Sequence, residues 1–235
     1  MPLPDYSVRI STRAKRLQLR IKPPGMVEVV LPKGMSARQV PGFVAQHTDW
    51  IAKHLGRLKH RPRTIVEPAL PESVFLAAIN ETWQVRTSQK NMCDHNVIEH
   101  SANRMLLVSA TDKQSQIQGL QRWLSNHAKR VLPPWLQEVS HETNLPFNRV
   151  TIRAQKTRWG SCSSQKNISL NRALLFLSPE AVRYLFIHEL CHTVHLNHSP
   201  RYWALVASIE PNYRQYDAEL NSAARNLPHW AAVRR

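Results

Sequence analysis

The stretch IHELCHTVHLNHSP, residues Ile187 to Pro200, decides how the rest of the chain is read. Four histidines and a glutamate fall within eleven residues, beside neighbours as apolar as Ile187, Leu190 and Val194. Just upstream, Ser178-Pro179-Glu180 spells a helix start: a hydroxyl N-cap, a proline at the first helical position and an acid in the first turn. Val182, Leu185, Phe186, Leu190 and Val194 then supply an apolar face, so the segment is expected to form a helix against a core. On that helix His188 and His192 leave the same side one turn apart. Two imidazoles so placed can share one zinc ion at about 2.0–2.1 Å each. Glu189 stands at the edge of the pair, placed to take a proton from a water that the ion activates, without itself ligating.

A catalytic zinc takes three protein ligands and keeps one position open. His195 lies on nearly the same face, but a straight helix carries it roughly 10 Å along the axis from His188. That is too far to close a tetrahedron. His198 suits better: Asn197 enters the left-handed backbone region readily and can turn the chain back. Ser199-Pro200 then opens a further helix carrying Tyr202, Trp203, Val206 and Ile209. The expected set is therefore His188, His192 and His198 as metal ligands and Glu189 as general base, with His195 behind the ligands or at the surface. Cys191 sits about 100° round the helix from His192 and reads as a small buried hydrophobe. The competing reading, a chance pentapeptide on a buried helix, leaves the helix start and the spacing of His198 without a purpose.

Working outward, Arg149–Arg153 alternates apolar and polar, RWGSCSSQKN is rich in turn formers, and Ile168–Asn171 alternates again. A strand, a loop and a strand thus precede the histidine helix. Gln116–Val131 reads as a helix through Leu120, Trp123, Leu124 and Ala128, broken by Pro133-Pro134 before a second helix over Trp135–Thr143. Residues 73–110 form a β-rich patch with strands near 74–76, 82–85 and 105–108 and a loop at Cys93–Asn96. A basic, proline-bearing connector covers 60–71. The front of the chain has strands at 8–10, 17–21 and 27–31 and a turn at Pro23-Pro24-Gly25. A helix follows from Ser36, with Val40, Phe43, Val44, His47, Trp50, Ile51 and Leu55 on one stripe and Pro41 in its first turns. The result is an α+β chain: a basic β-rich region with one helix over 1–115, and the histidine-bearing region over 116–235.

Charge is the outlier in composition. Thirty-two Lys and Arg stand against 16 Asp and Glu, a net of +16, and residues 1–63 hold 13 of the basic residues with only Asp5, Glu28 and Asp49 opposing. That asymmetry predicts a polyanionic partner, nucleic acid, an acidic surface or phosphorylated substrates, for the N-terminal region. Three cysteines are an odd number at scattered spacing, which argues against a disulfide framework and for reduced thiols. The N-terminus lacks a signal-peptide apolar run, and no run approaches the roughly 18 residues of a membrane span. A cytoplasmic protein without membrane contact is the expectation.

The segment TRWGSCSSQKNISLNRALLFLSPEAVRYLFIHELCHTVHLNHSPRYWALV, residues 157–206, resembles the YgjP-like zincin metallopeptidases, relatives of the WLM and SprT-type metalloproteases. The RWGSCS, ISLN, HELCH and NHSP blocks occur in the family's order, and a weaker likeness extends forward through RAKRLQLRI, VEVVLP and a helix ending in Trp50-Ile51-Ala52-Lys53. The resemblance implies a zincin-type α+β core, its active-site helix packed on a small sheet, and zinc-dependent hydrolysis. It carries His188, His192 and His198 over as zinc ligands and Glu189 as catalytic acid and base. It also implies that a strand at the cleft edge pairs with an extended peptide or protein substrate. Arg158 and Trp159 could approach that cleft, or be a solvated cation and a core ring. Gly160 and Ser161 read as turn residues, and Cys162 as a structural thiol lacking an evident base. Tyr202, Arg201 and His195 are the nearby candidates for stabilising a developing oxyanion.

Two other functions use the same residues. One is metal-dependent hydrolysis of a nucleoside triphosphate, although no glycine-rich phosphate loop is present. The other is a basic nucleic-acid-binding module with structural zinc, but such sites usually close with four protein ligands, and Glu189 would have no purpose there.

Overall fold

In the computed structural model the described residues are 4–22, 25–59, 70–88, 97–109, 112–223 and 226–231. Most of the expected connector at 60–71, the loop at Cys93–Asn96 and Pro23-Pro24 lie outside them. The chain divides into two compact units, Met1–Val66 and Glu67–Arg235. The expected N-terminal region, 1–115, spans the first unit and the opening sheet of the second.

In the first unit, β1 (Tyr6–Ser11), β2 (Gln18–Lys22) and β3 (Met26–Pro32) form a sheet in the order β1-β3-β2. The central strand is parallel to β1 and antiparallel to β2. Its period of two puts Val27, Val29 and Leu31 on one face, where they meet Val40, Val44 and Ile51. The opposite face carries Arg9, Arg20 and Lys22 around Glu28, which pairs with both Arg9 and Lys22. The expected single helix from Ser36 is divided. Ser36 caps a 3-10 turn at Ala37–Gln39, α1 runs Val40–Gln46 with Pro41 in its first turn, and α2 runs Thr48–Lys59. The break falls at His47, whose backbone leaves helical geometry at φ −115°, ψ 15°. Trp50, expected on the apolar stripe, is 39% exposed.

In the second unit, β4 (Ser73–Leu76), β5 (Glu81–Ser88), β6 (Val97–His100) and β7 (Met105–Ser109) form a sheet in the order β4-β5-β7-β6. The long helix α3 (Lys113–Thr143) packs beside it, with Trp83 edge-on to Trp123 and the Trp123 indole N–H donating to Glu99 at 2.8 Å. Contrary to the expected break, α3 runs straight through Pro133 and Pro134. Each proline removes one backbone donor and strains the preceding turn, about 3 kcal/mol in an isolated helix. Here the carbonyls left without donors belong to the exposed residues Lys129 and Arg130, where water can serve them. Leu132, Leu136 and Val139, all buried around the same turns, supply the opposing burial energy at about 1.5–3 kcal/mol each.

A second small sheet, ordered β8-β10-β9, joins β8 (Arg149–Arg153), β9 (Gly160–Cys162) and β10 (Asn167–Asn171). β9 arises from residues that read as a turn; it is antiparallel to β10 and forms the sheet's edge. α4 (Pro179–Cys191) lies at the centre of the core, with Tyr184, Phe186, Ile187, Leu190 and Cys191 fully buried. α5 (Pro200–Ile209) and α6 (Tyr213–Ala223) follow, the latter unforeseen in the sequence. The fold is α+β, as expected. No helix among the described residues is long and apolar enough to cross a membrane.

Candidate metal centre

Ser178 caps α4 as its sequence spells, its side chain accepting from the Ala181 amide with Pro179 in the first turn. The helix ends earlier than the histidine spacing suggests. His192 is its C-cap, still in right-handed helical geometry, so His188 and His192 keep the one-turn relation. Thr193 then donates to Leu190 in a tightened turn, and both Val194 and His195 donate to Cys191. The left-handed residue expected at Asn197 is not there: the described non-glycine residues with positive φ are Asn80, Arg104, Asn144 and Lys166. The tightened turn reverses the chain before Asn197 is reached. His198 follows, with its Nε2 brought to that of His188.

The imidazoles of His188, His192 and His198 converge, with one ligand atom from each lying within 4.8 Å of the others. The Nε2 atoms of His188 and His198 are 3.2 Å apart. Two nitrogens at zinc-binding distance from one tetrahedral ion would be separated by roughly 3.3 Å, so the set fits. His195 contributes its backbone and not its ring: its carbonyl lies 3.0 Å from Nδ1 of His192. A carbonyl only accepts, so that nitrogen carries the proton and Nε2 of His192 is left free to ligate. His198, the exposed member, is braced by rings. It stacks on Trp203 at 5.5 Å, and Trp203 stacks in turn on Tyr213 at 5.4 Å.

Burial makes His188 and His192 hard to protonate. Desolvation, followed by the neighbouring His192 and His198, holds His188 down to about 3. His192 is lowered as well, chiefly by burial, with the His195 carbonyl opposing and His198 adding. Neutral imidazoles with free lone pairs are what a cation requires.

Glu189 faces β9 and is 3% exposed. One of its carboxylate oxygens, Oε2, has no hydrogen-bond partner among the described residues. Burial pushes the carboxyl up to about 8, with Arg158 opposing. A desolvated carboxyl with an orphaned oxygen, one residue along the chain from His188, is costly unless something else engages it. Arg158 is exposed but close enough for its charge to act on Glu189. Trp159 is partly buried and donates its indole N–H to the Leu220 carbonyl at 2.9 Å, a role in the core. The Cys162 thiol is pushed up to about 11 by burial and by Glu189, which removes it as a nucleophile at neutral pH. Tyr202 is fully buried, and its hydroxyl donates to the His188 carbonyl at 3.1 Å, so it holds α4 and does not face a substrate.

None of the curated proteins matches the chain. Among solved structures, the crystal structure of the metallopeptidase zymogen abylysin from Pyrococcus abyssi is similar, at 23% identity with a TM-score of 0.37. The match covers 40% of this chain and 96% of that one. The YgjP-like, metallopeptidase domain family has a model that matches residues 15–223, reaching into both units and with the three histidines within it. With a match of that extent, the chain belongs to the YgjP-like metallopeptidase family.

Proposed function

We propose that this metallopeptidase is zinc-dependent, with His188, His192 and His198 as the ligands and Glu189 as the general base. The orphaned Oε2 of the buried Glu189, which directly follows His188 of the converging histidine set, carries this reading. Zinc, when bound, supplies a Lewis acid that activates water and polarises a carbonyl. The chain's own groups do the rest. The His195 carbonyl fixes the tautomer of His192, and the Trp203–Tyr213 stack steadies His198. Glu189, ionised once a cation stands in the site, would take a proton at Oε2 and return it to the leaving amine.

The substrate strand is read from β9. Trp159 accepts from Asn171 and Ser163 donates to Asn167, so both aim their backbone at β10. By alternation, Gly160 and Cys162 aim theirs at the open edge, ready to pair with an extended peptide. Chelator-treated protein is expected to leave an unfolded protein substrate intact, and added zinc to restore cleavage. Turnover of a nucleoside triphosphate with no peptide cleavage would overturn the reading.

The basic sheet face of the first unit, Arg9, Arg20 and Lys22, adjoins the exposed cations Arg13, Lys15 and Arg16 of the β1–β2 loop. We assign it to a nucleic-acid strand. With about four of these cations on phosphates, affinity for single-stranded DNA is expected to fall roughly 50-fold between 50 and 200 mM salt. Fluorescence anisotropy across that range checks it; a flat salt response would remove nucleic acid as the partner.

A further inference from the structure

We propose that Gly160 is the positioning residue for Glu189: the missing side chain at this one strand position sets where the carboxylate of the base sits. This rests on the reading of Glu189 as the base. Glycine inside a strand weakens it and needs a reason, either an unusual backbone or the close approach of another group. The backbone reason fails, because the positive-φ glycines are Gly25 and Gly34. Gly160 pairs with Leu170 as an ordinary antiparallel residue. Close approach remains. A β-carbon placed on Gly160 would meet Glu189 three times, overlapping Oε1 and lying 2.8 Å from both Cδ and Cγ.

Carbon atoms in contact normally sit about 3.5–4.0 Å apart, so an alanine at 160 has to move the carboxylate by close to an ångström. Glu189 is buried, so its carboxylate cannot simply swing aside into water. The three atoms nearest to such a β-carbon all belong to Glu189. The substitution therefore acts first on the base. It also leaves the outward backbone groups of Gly160 in place for substrate. A displacement of about 1 Å in a reacting group can cost on the order of 100-fold in rate.

Two measurements on the full-length protein test this. In zinc-loaded Gly160→Ala, kcat on an unfolded protein substrate is expected to fall about 100-fold, while KM and the zinc dissociation constant stay within about twofold. The second is a thermal cycle on metal-free protein with Glu189→Ala. Gly160→Ala should lower Tm when Glu189 is present and leave it unchanged or raise it when residue 189 is truncated. A purely structural role for the strand would lower Tm in both backgrounds. Wild-type kcat in Gly160→Ala, or equal Tm losses in the two backgrounds, would overturn the proposal. If the wild-type protein cleaves nothing, the peptidase reading of the base fails and the rate claim falls with it. The thermal cycle still reports whether residue 160 seats residue 189.

Discussion

Glu189→Gln is expected to lose peptide hydrolysis by about 10²–10⁴-fold, the usual worth of a general base, with zinc still bound. The same variant should make the metal-free protein more stable. The sign follows from burial. In the unfolded chain Glu189 ionises at the ordinary value of 4.5, but in the folded protein it holds its proton up to about 8. Between those values only the unfolded state gains from ionisation, so folding loses stability as pH rises from 4.5 to 8, and the loss is constant above. At pH 7 this amounts to about 3 kcal/mol as an upper figure. Gln carries no such cost, although its own amide hydrogens lack partners and take back about 1 kcal/mol or more. A rise in Tm on the order of 5 °C at pH 8, shrinking toward zero near pH 4.5, is the expected result. Melting curves of metal-free wild type and variant at the two pH values check the stability half, and steady-state kinetics the other. A variant that keeps full turnover removes Glu189 from the chemistry. One that melts alike at both pH values removes the buried charge from the account.

The residues of this site were legible in the sequence to the extent that their placement is local. His188 and His192 share a face because of helical period alone, and Ser178-Pro179 starts the helix through its own side chain and ring. What the sequence could not show depends on partners far away in the chain. β9 has three residues and no periodicity; it is a strand because β10 pairs with it, and Gly160 read as a turn residue for that reason. Pro133-Pro134 broke the expected helix because local propensity ignores the core that Leu132, Leu136 and Val139 enter. The part played by His195 is a backbone carbonyl, which every residue possesses and no motif marks. The turn expected at Asn197 is already made before it by two tightened hydrogen bonds, from Thr193 to Leu190 and from Val194 to Cys191. The Trp203–Tyr213 brace behind His198 needs α6, whose placement against α5 is tertiary. Fold class and the shared face of His188 and His192 are thus written in short-range patterns. The parts that position these residues are written in packing.

The largest effect on stability is expected from the ion. Metal-free protein is ill at ease at every pH: above 4.5 it holds Glu189 protonated against its tendency to ionise, and below 6.5 it denies His188 a proton that the unfolded chain accepts. The second loss runs from 6.5 down to the folded value near 3, so stability falls with pH throughout that window. A zinc ion on the three imidazoles uses the lone pairs that burial keeps free. At a thousandfold excess over its dissociation constant it should add about 4 kcal/mol, or roughly 10 °C in Tm for a domain of this size. In the folded protein burial keeps His188 unprotonated down to about 3, so proton competition with zinc at that nitrogen sets in only as pH approaches that value. His188→Ala, His192→Ala and His198→Ala should each abolish most of the shift, and His188→Ala should also flatten the acid-side loss of the metal-free protein. His198→Ala is the most diagnostic of the three, because its ring is exposed and stands outside α4. Its removal disturbs no core, so a lost zinc shift there reports ligation alone. A shift that survives in all three variants would place the ion elsewhere in the chain.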